Sequence, residues 1–380
     1  MPARSESPVI LQVLPSLVTG GVERGTVEIT QAITAAGWTA LVASQGGRLV
    51  PAIEQAGGRH ITLPLNTKSP LAIWRNAARL EALIRAERVA IVHARSRGPA
   101  WSAWFACQRT GAHFVTTHHG TYGDGMPFKR AYNAVMSRGE VVIAASRFIA
   151  DLVIRRHGTD PARIRVIPRG VDTALFDPAA IGPDRIERLA SAWRLPAGAR
   201  VVMLPGRLTA WKGQRVLLDA MALLNRPDVI CVLVGSDQGR WRYTAALRQH
   251  AEALRIGEQV RFAGECDDMP AALMLADVVV HASIQPEAFG RVVIEAQAMG
   301  RPVVASDLGG PVETVDHGVT GWRVRSNDAR GLALALAGAL DMDPADRQAL
   351  GARARASVPT VQAMQAATLD VYRSILQPAP

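Results

Sequence analysis

Two carboxylates with seven residues between them, in Glu287-Ala-Phe-Gly-Arg-Val-Val-Ile-Glu295, stand where the apolar run Val278-Val-Val-His281 gives way to a helical pattern. A carboxylate accepts two hydrogen bonds at once, which suits the vicinal hydroxyls of a sugar or ribose. Gly290 opens the helix, and a residue without a side chain there would let a phosphate approach the exposed amides of the helix N-terminus. Taken alone, two Glu near a helix start would as readily serve the helix dipole. A basic pair, Arg207 and Lys212 in Pro205-Gly-Arg-Leu-Thr-Ala-Trp-Lys-Gly213, follows the run Val201-Val-Met-Leu. Negative charge grows on the bridging oxygen as a sugar leaves a nucleoside diphosphate, and fixed cations stabilise it without a metal. Strand-end Arg and Lys are commonly just solvated, yet Lys212 is one of only three lysines, with Lys68 and Lys129.

Two further clusters are weaker taken alone. Thr116-Thr-His-His-Gly120 ends another apolar run, so His118 and His119 stand at the carboxyl end of a strand, from which one of them can enter a cleft. A His pair in that position is more often a hydrogen-bonded turn. Thr19-Gly-Gly-Val-Glu-Arg24 supplies Gly20 and Gly21, which permit close backbone approach. It is not the dinucleotide pattern GxGxxG, and no GxxxxGK[ST] occurs, which argues against nicotinamide and P-loop chemistry. His93 and His281 read as strand-end packing residues.

The elements that must position these residues alternate along the chain. Val9-Ile-Leu-Gln-Val-Leu precedes a helical pattern over 22–36, Ala90-Ile-Val-His precedes another over 99–109, and further strands are expected at 113–117, 141–145 and 165–167. Short apolar runs between amphipathic helices predict a parallel α/β sheet. The rhythm breaks over 172–198, read as a linker and an entry helix, and resumes with runs beginning at Val201, Val229, Val260, Val278 and Pro302. A chain of 380 residues is also longer than one core usually serves. We therefore expect two α/β domains: residues 1–178, which would bind the acceptor, and 179–360, which would bind the donor. A terminal helix, about 361–380, would be able to pack back on the first. Ligands collect at the carboxyl ends of strands in such sheets.

The block from Glu287 runs on through Ala296-Gln-Ala-Met-Gly-Arg-Pro-Val-Val-Ala-Ser306, Gly309-Gly-Pro-Val-Glu313 and Gly318-Val-Thr-Gly321. It resembles the donor-site signature of retaining glycosyltransferase family 4, of the bacterial lipopolysaccharide or cell-surface polysaccharide type. That family has the GT-B architecture, in which two Rossmann-like parallel-sheet domains face a central cleft. The resemblance covers nearly the whole chain and is strongest over 201–325. It implies transfer of a hexose from a UDP- or GDP-sugar with retention of configuration and with no metal or other cofactor. It places Arg207 and Lys212 on the donor diphosphate, Glu287 among the catalytic residues, and His119 against the transferred sugar. Gly20 and Gly21 would reach the diphosphate or acceptor. Gly206, Gly235, Glu265, Ala288, Phe289, Gly290, Arg291 and Glu295 would line the donor. Ile167-Pro-Arg-Gly-Val-Asp172 is similar to the family's interdomain segment, with Arg169 where Asn is commoner. A nucleotide-sugar epimerase, a glucan phosphorylase and a non-catalytic nucleotide-sugar-binding regulator are the competing readings.

Composition bears on compartment and partners. The three cysteines, Cys107, Cys231 and Cys266, are odd in number and lack CxxC spacing, against a disulfide framework and a zinc site and in favour of a cytoplasmic setting. No apolar run approaches the roughly 20 residues that cross a bilayer. Residues 1–178 carry 21 Lys and Arg against 12 Asp and Glu, whereas 179–380 carry 22 against 21. A basic field confined to one half attracts anionic partners. With the mixed apolar and basic stretch 126–136, it favours a glycolipid or oligosaccharide acceptor at the inner face of the plasma membrane over nucleic acid. Asp341-Met-Asp343 matches a metal-binding DxD pattern, but Asp343 precedes Pro344 and reads as a helix cap.

Overall fold

The computed structural model describes residues 7–18, 20–123 and 127–377, so Thr19 and Met126 of the two stretches quoted above lie outside the described residues. The chain divides into two compact units, residues 1–169 with 361–380, and residues 170–360. The boundary falls at Arg169–Gly170 rather than after residue 178. The reason lies in the backbone: Val171 N donates to Pro359 O at 2.9 Å, so the segment after Arg169 runs beside the one that leads into the terminal helix.

The first unit holds seven strands: β1 Val9–Val13, β2 Thr39–Ser44, β3 Arg59–Thr62, β4 Ile91–Ala94, β5 His113–His118, β6 Val141–Ala144 and β7 Ile164–Val166. They pair in parallel in the order β3-β2-β1-β4-β5-β6-β7. Alternate residues of each strand feed opposite faces. Leu11, Val92 and Phe114 pack with Leu80, Ala100 and Ala103, while Ile10, Ile91 and Val115 pack with Ile29, Ile33 and Tyr372. A sheet buried on both sides needs strands that are apolar throughout, which is why the runs read as continuous rather than alternating. The terminal helix Val361–Leu376 packs on the helix Gly21–Ala35, and Gln365 Nε2 donates to Glu28 O at 2.7 Å.

The second unit repeats the plan with β8 Arg200–Pro205, β9 Val229–Val234, β10 Val260–Gly264, β11 Val278–His281, β12 Val303–Ser306 and β13 Trp322–Val324. Their order is β10-β9-β8-β11-β12-β13, all parallel. Val202, Leu204, Leu233 and Val280 face Leu217, Met221, Leu332 and Leu336. The order reverses direction between β8 and β11, and a reversal opens a crevice outside the strand ends. The segments leaving that crevice carry Arg207 and Lys212 on one side and Glu287 on the other. Asp343 caps the helix Pro344–Ser357 by accepting from Ala345 N at 2.8 Å, and Asp341 pairs with Arg226.

Candidate active site

At the crevice of the second unit, Lys212 Nζ lies 2.6 Å from Glu287 Oε1, and each side chain is only 14% exposed. The pair is therefore a shielded one, held by its surroundings rather than a solvated surface bridge. Glu287 Oε1 also accepts from His281 Nε2 at 2.8 Å and from the Ser283 hydroxyl. Burial, the largest single influence, opposes the charge. His281 and then Lys212 outweigh it and hold the Glu287 carboxyl well below the usual carboxylate range. Glu287 is thus a charged anchor for Lys212 and is not placed to give up or take a proton near neutrality.

The glycines around this pair serve the backbone. Gly213 has φ +75° and packs against Ala282 O, and Ile284 N donates to Trp211 O at 2.8 Å, so the Lys212 loop is stitched to the segment after β11. From the other side, Gly310 N donates to Glu287 O at 2.8 Å, and a Cβ on Gly309 would stand 2.6 Å from that same oxygen. The Gly309-Gly310-Pro311 run is therefore the strap that fixes Glu287. Gly290 takes φ +80°, and a Cβ there would stand 2.7 Å from Pro311 Cγ. Its bareness serves the left-handed turn and the approach of the proline.

Other expected residues fall as follows. Arg207 and Lys212 both lie over the Trp211 ring, at 5.9 and 4.7 Å from its centroid. Gly206 flanks the Lys212 stem. Gly235 packs on the Gly206 backbone and donates to Gly264 O at 2.7 Å, so these glycines brace the ends of β8, β9 and β10. Glu265 is exposed just beyond β10, Ala288 is half-buried, and the Phe289 side chain is buried and offers a ligand only its backbone. Arg291 Nε lies 3.5 Å from Glu295 Oε1, one turn along the helix Arg291–Ala298. Among the described residues, no cluster of three or more His, Cys, Asp or Glu side chains is placed to hold a metal.

His281 and Ser283 escaped the sequence reading. His281 was expected to be a packing residue, and its side chain is indeed nearly buried, but its Nε2 holds the carboxylate that holds Lys212. The available signal was its place at the carboxyl end of a strand, six residues before Glu287.

In the first unit, His118 is buried against the Tyr122 ring, and burial, then the charge of His157, push it down to about 3. His119 is half-buried with Nε2 unpartnered among the described residues. Burial, then Arg169 and Arg95, hold it well below the ordinary imidazole value, so it is neutral. Gly20 precedes the helix Gly21–Ala35 without a side-chain cap, and the Glu23 carboxylate lies against it. Arg169, in the segment expected to link the domains, donates to Gly21 O, and Gly25 leaves the room it needs. His93 is a structural lock: Nδ1 pairs with Tyr372 Oη and Nε2 with Thr117 Oγ1, each at 2.6 Å.

Residues 19–175 match the family description Glycosyltransferase Family 4, and residues 186–357 match Glycosyl transferases group 1. The D-inositol 3-phosphate glycosyltransferase 2 of Catenulispora acidiphila is 31% identical over 334 residues, which is 78% of this chain and 75% of that protein. A glycosyltransferase from Rickettsia africae of known structure is 34% identical, with a TM-score of 0.91 over 98% of this chain and 100% of that one. Anabaena HepE, solved in complex with UDP and glucose, is 26% identical, with a TM-score of 0.84 over 96% and 99% of the two chains. A second complex of HepE contains UDP-glucose. Two reversing parallel sheets, one family description on each unit, and a relative matched along three quarters of its length agree: the chain belongs to the GT-B glycosyltransferases.

Proposed function

We propose that the chain transfers a hexose from a nucleotide-diphosphate sugar to an anionic glycolipid or oligosaccharide, with retention of anomeric configuration and without a metal. The observation that carries this reading is the Lys212–Glu287 pair at the crevice between β8 and β11, locked by His281 and Ser283. Lys212, with Arg207, would meet the diphosphate and stabilise the charge that grows as the bond from the anomeric carbon to the phosphate oxygen breaks. Glu287 would keep Lys212 fixed and offer its second oxygen to a sugar hydroxyl. The acceptor oxygen would bond to the anomeric carbon from the face the diphosphate leaves, and its proton would pass to a phosphate oxygen. Glu295, Arg291 and the backbone at Gly206, Gly235, Glu265, Ala288, Phe289 and Gly290 are assigned to the donor. His119 is assigned to the transferred sugar, and Gly20 and Gly21 to the diphosphate or acceptor. The HepE complexes support a UDP-linked donor.

Relatives named for D-inositol 3-phosphate favour a second acceptor class, a small phosphorylated polyol. The surplus of basic residues before residue 178 suits either. The test is turnover of UDP- and GDP-hexoses with both acceptor classes, for the parent chain and for Lys212→Ala and Glu287→Ala. Each substitution should lower kcat by about 10²-fold or more, the scale of losing one transition-state contact in an excluded site. Turnover that survives either change at near-parent rate would end the assignment.

A further inference from the structure

The second unit also carries an open depression of about 540 Å³, walled by the loop after β8 and by the first turn of the helix Trp241–Ala253. Its features do not follow from the needs of folding. Trp241 is 64% exposed, so its indole contributes little to any core. Thr209 is 6% exposed and its Oγ1 has no partner among the described residues, a buried hydroxyl left unsatisfied at the wall. The helix begins without a side-chain cap at Arg240 and carries no acidic residue in its first turn.

The depression is lined by Arg207, Arg240 and Arg242 and by no acidic side chain, while Lys212 beside it is paired with Glu287. Arg242 lies 5.3 Å from the Trp241 ring centroid, and Lys212 and Arg207 lie over Trp211, which lines the depression. Asp237, in the loop before the helix, accepts from Gly239 N at 2.9 Å and from Thr244 Oγ1 in the first turn of the helix at 3.1 Å. The floor is built: Tyr243 Oη donates to Gln214, whose amide donates to Arg207 O at 2.9 Å.

We propose that this depression binds an anionic saccharide. The apolar C–H face of a pyranose would lie on the Trp241 indole, and its phosphate or carboxylate would meet Arg240, Arg242 and the first turn of the helix. Flat aromatic surface alone would take neutral sugars, and arginine alone would take any anion. The two together select a sugar that carries a charge.

Saturation-transfer NMR and calorimetry on the full chain test this, with glucose 6-phosphate, galacturonic acid, glucose and inorganic phosphate as probes and UDP as the reference ligand. Glucose 6-phosphate and galacturonic acid should bind, with glucose and phosphate each about tenfold weaker. Trp241→Ala and Arg240→Ala/Arg242→Ala should weaken the charged sugars by about tenfold or more while UDP affinity and the thermal midpoint hold. UDP affinity reports the donor reading separately, so failure of one is told from failure of the other. The proposal is overturned if no charged sugar binds, if phosphate binds as well as glucose 6-phosphate, or if the Trp241 and Arg242 changes weaken UDP and the charged sugars together.

Discussion

Lys212, Glu287, His281 and Ser283 meet on one carboxylate oxygen, an arrangement that gives a measurable acid dependence. The folded Glu287 carboxyl loses its proton far more readily than the same group in the unfolded chain. Stability from this charge is therefore fully present above the ordinary carboxylate range and drains away as pH falls through that range toward the folded value. Glu287→Gln keeps the shape and removes the charge. In urea unfolding at pH 7, the variant should be less stable by about 3 kcal/mol, since a shielded lysine loses its partner, and the gap to the parent should narrow steadily toward pH 3. A gap independent of pH would mean that the charge is not what the pocket holds. At this scale the sequence marked residues that the fold brings together. Glu287, Lys212 and Arg207 declare themselves by type and spacing, whereas His281 does not, because its role depends on a loop that folds back six residues. Gly290 was visible by type, whereas nothing in the sequence says that Pro311 would lean on it.

Among elements, the terminal helix Val361–Leu376 shows how a distant segment completes a sheet. Its Tyr372 is fully buried and pairs with His93 at the end of β4, while His93 pairs on its other side with Thr117 of β5. Burial, then Arg95 and Arg169, hold the His93 imidazole well below its ordinary value, and burial raises the Tyr372 phenol, so both groups are neutral and depend on their hydrogen bonds. Tyr372→Phe leaves the ring and removes the partner. It should cost about 1–3 kcal/mol, read as a lower urea midpoint with an unchanged slope. No loss of stability would show that His93 finds another partner in its place. The strands themselves were plain in the sequence, because parallel sheets covered on both sides need unbroken apolar runs. The strap at Gly309-Gly310-Pro311 was legible only as a motif; its grip on the Glu287 backbone is a tertiary fact.

Across the whole molecule, the surplus of positive charge before residue 178 joins exposed apolar side chains on the first unit: Leu71 at 57%, Trp74 at 58% and Phe128 at 62%, the last beside Lys129 and Arg130. No helix among the described residues is long and apolar enough to cross a membrane. Flotation with anionic vesicles should carry the chain upward at low salt and lose it at high salt, as screening removes the attraction. Replacement of Trp74 and Phe128 by Ser should weaken flotation several-fold. Equal flotation on neutral vesicles would remove charge from the account.

The order in which the chain leaves the ribosome has its own consequence. The second unit is one unbroken stretch, 170–360, and can close on itself once its last helix emerges, whereas the first must wait for residues 361–376, made after it. Until then the nascent first sheet keeps part of one apolar face and the Nδ1 side of the His93 imidazole without their cover. Of the two units, the one begun first is finished second, and it is during this interval that a chaperone would be needed.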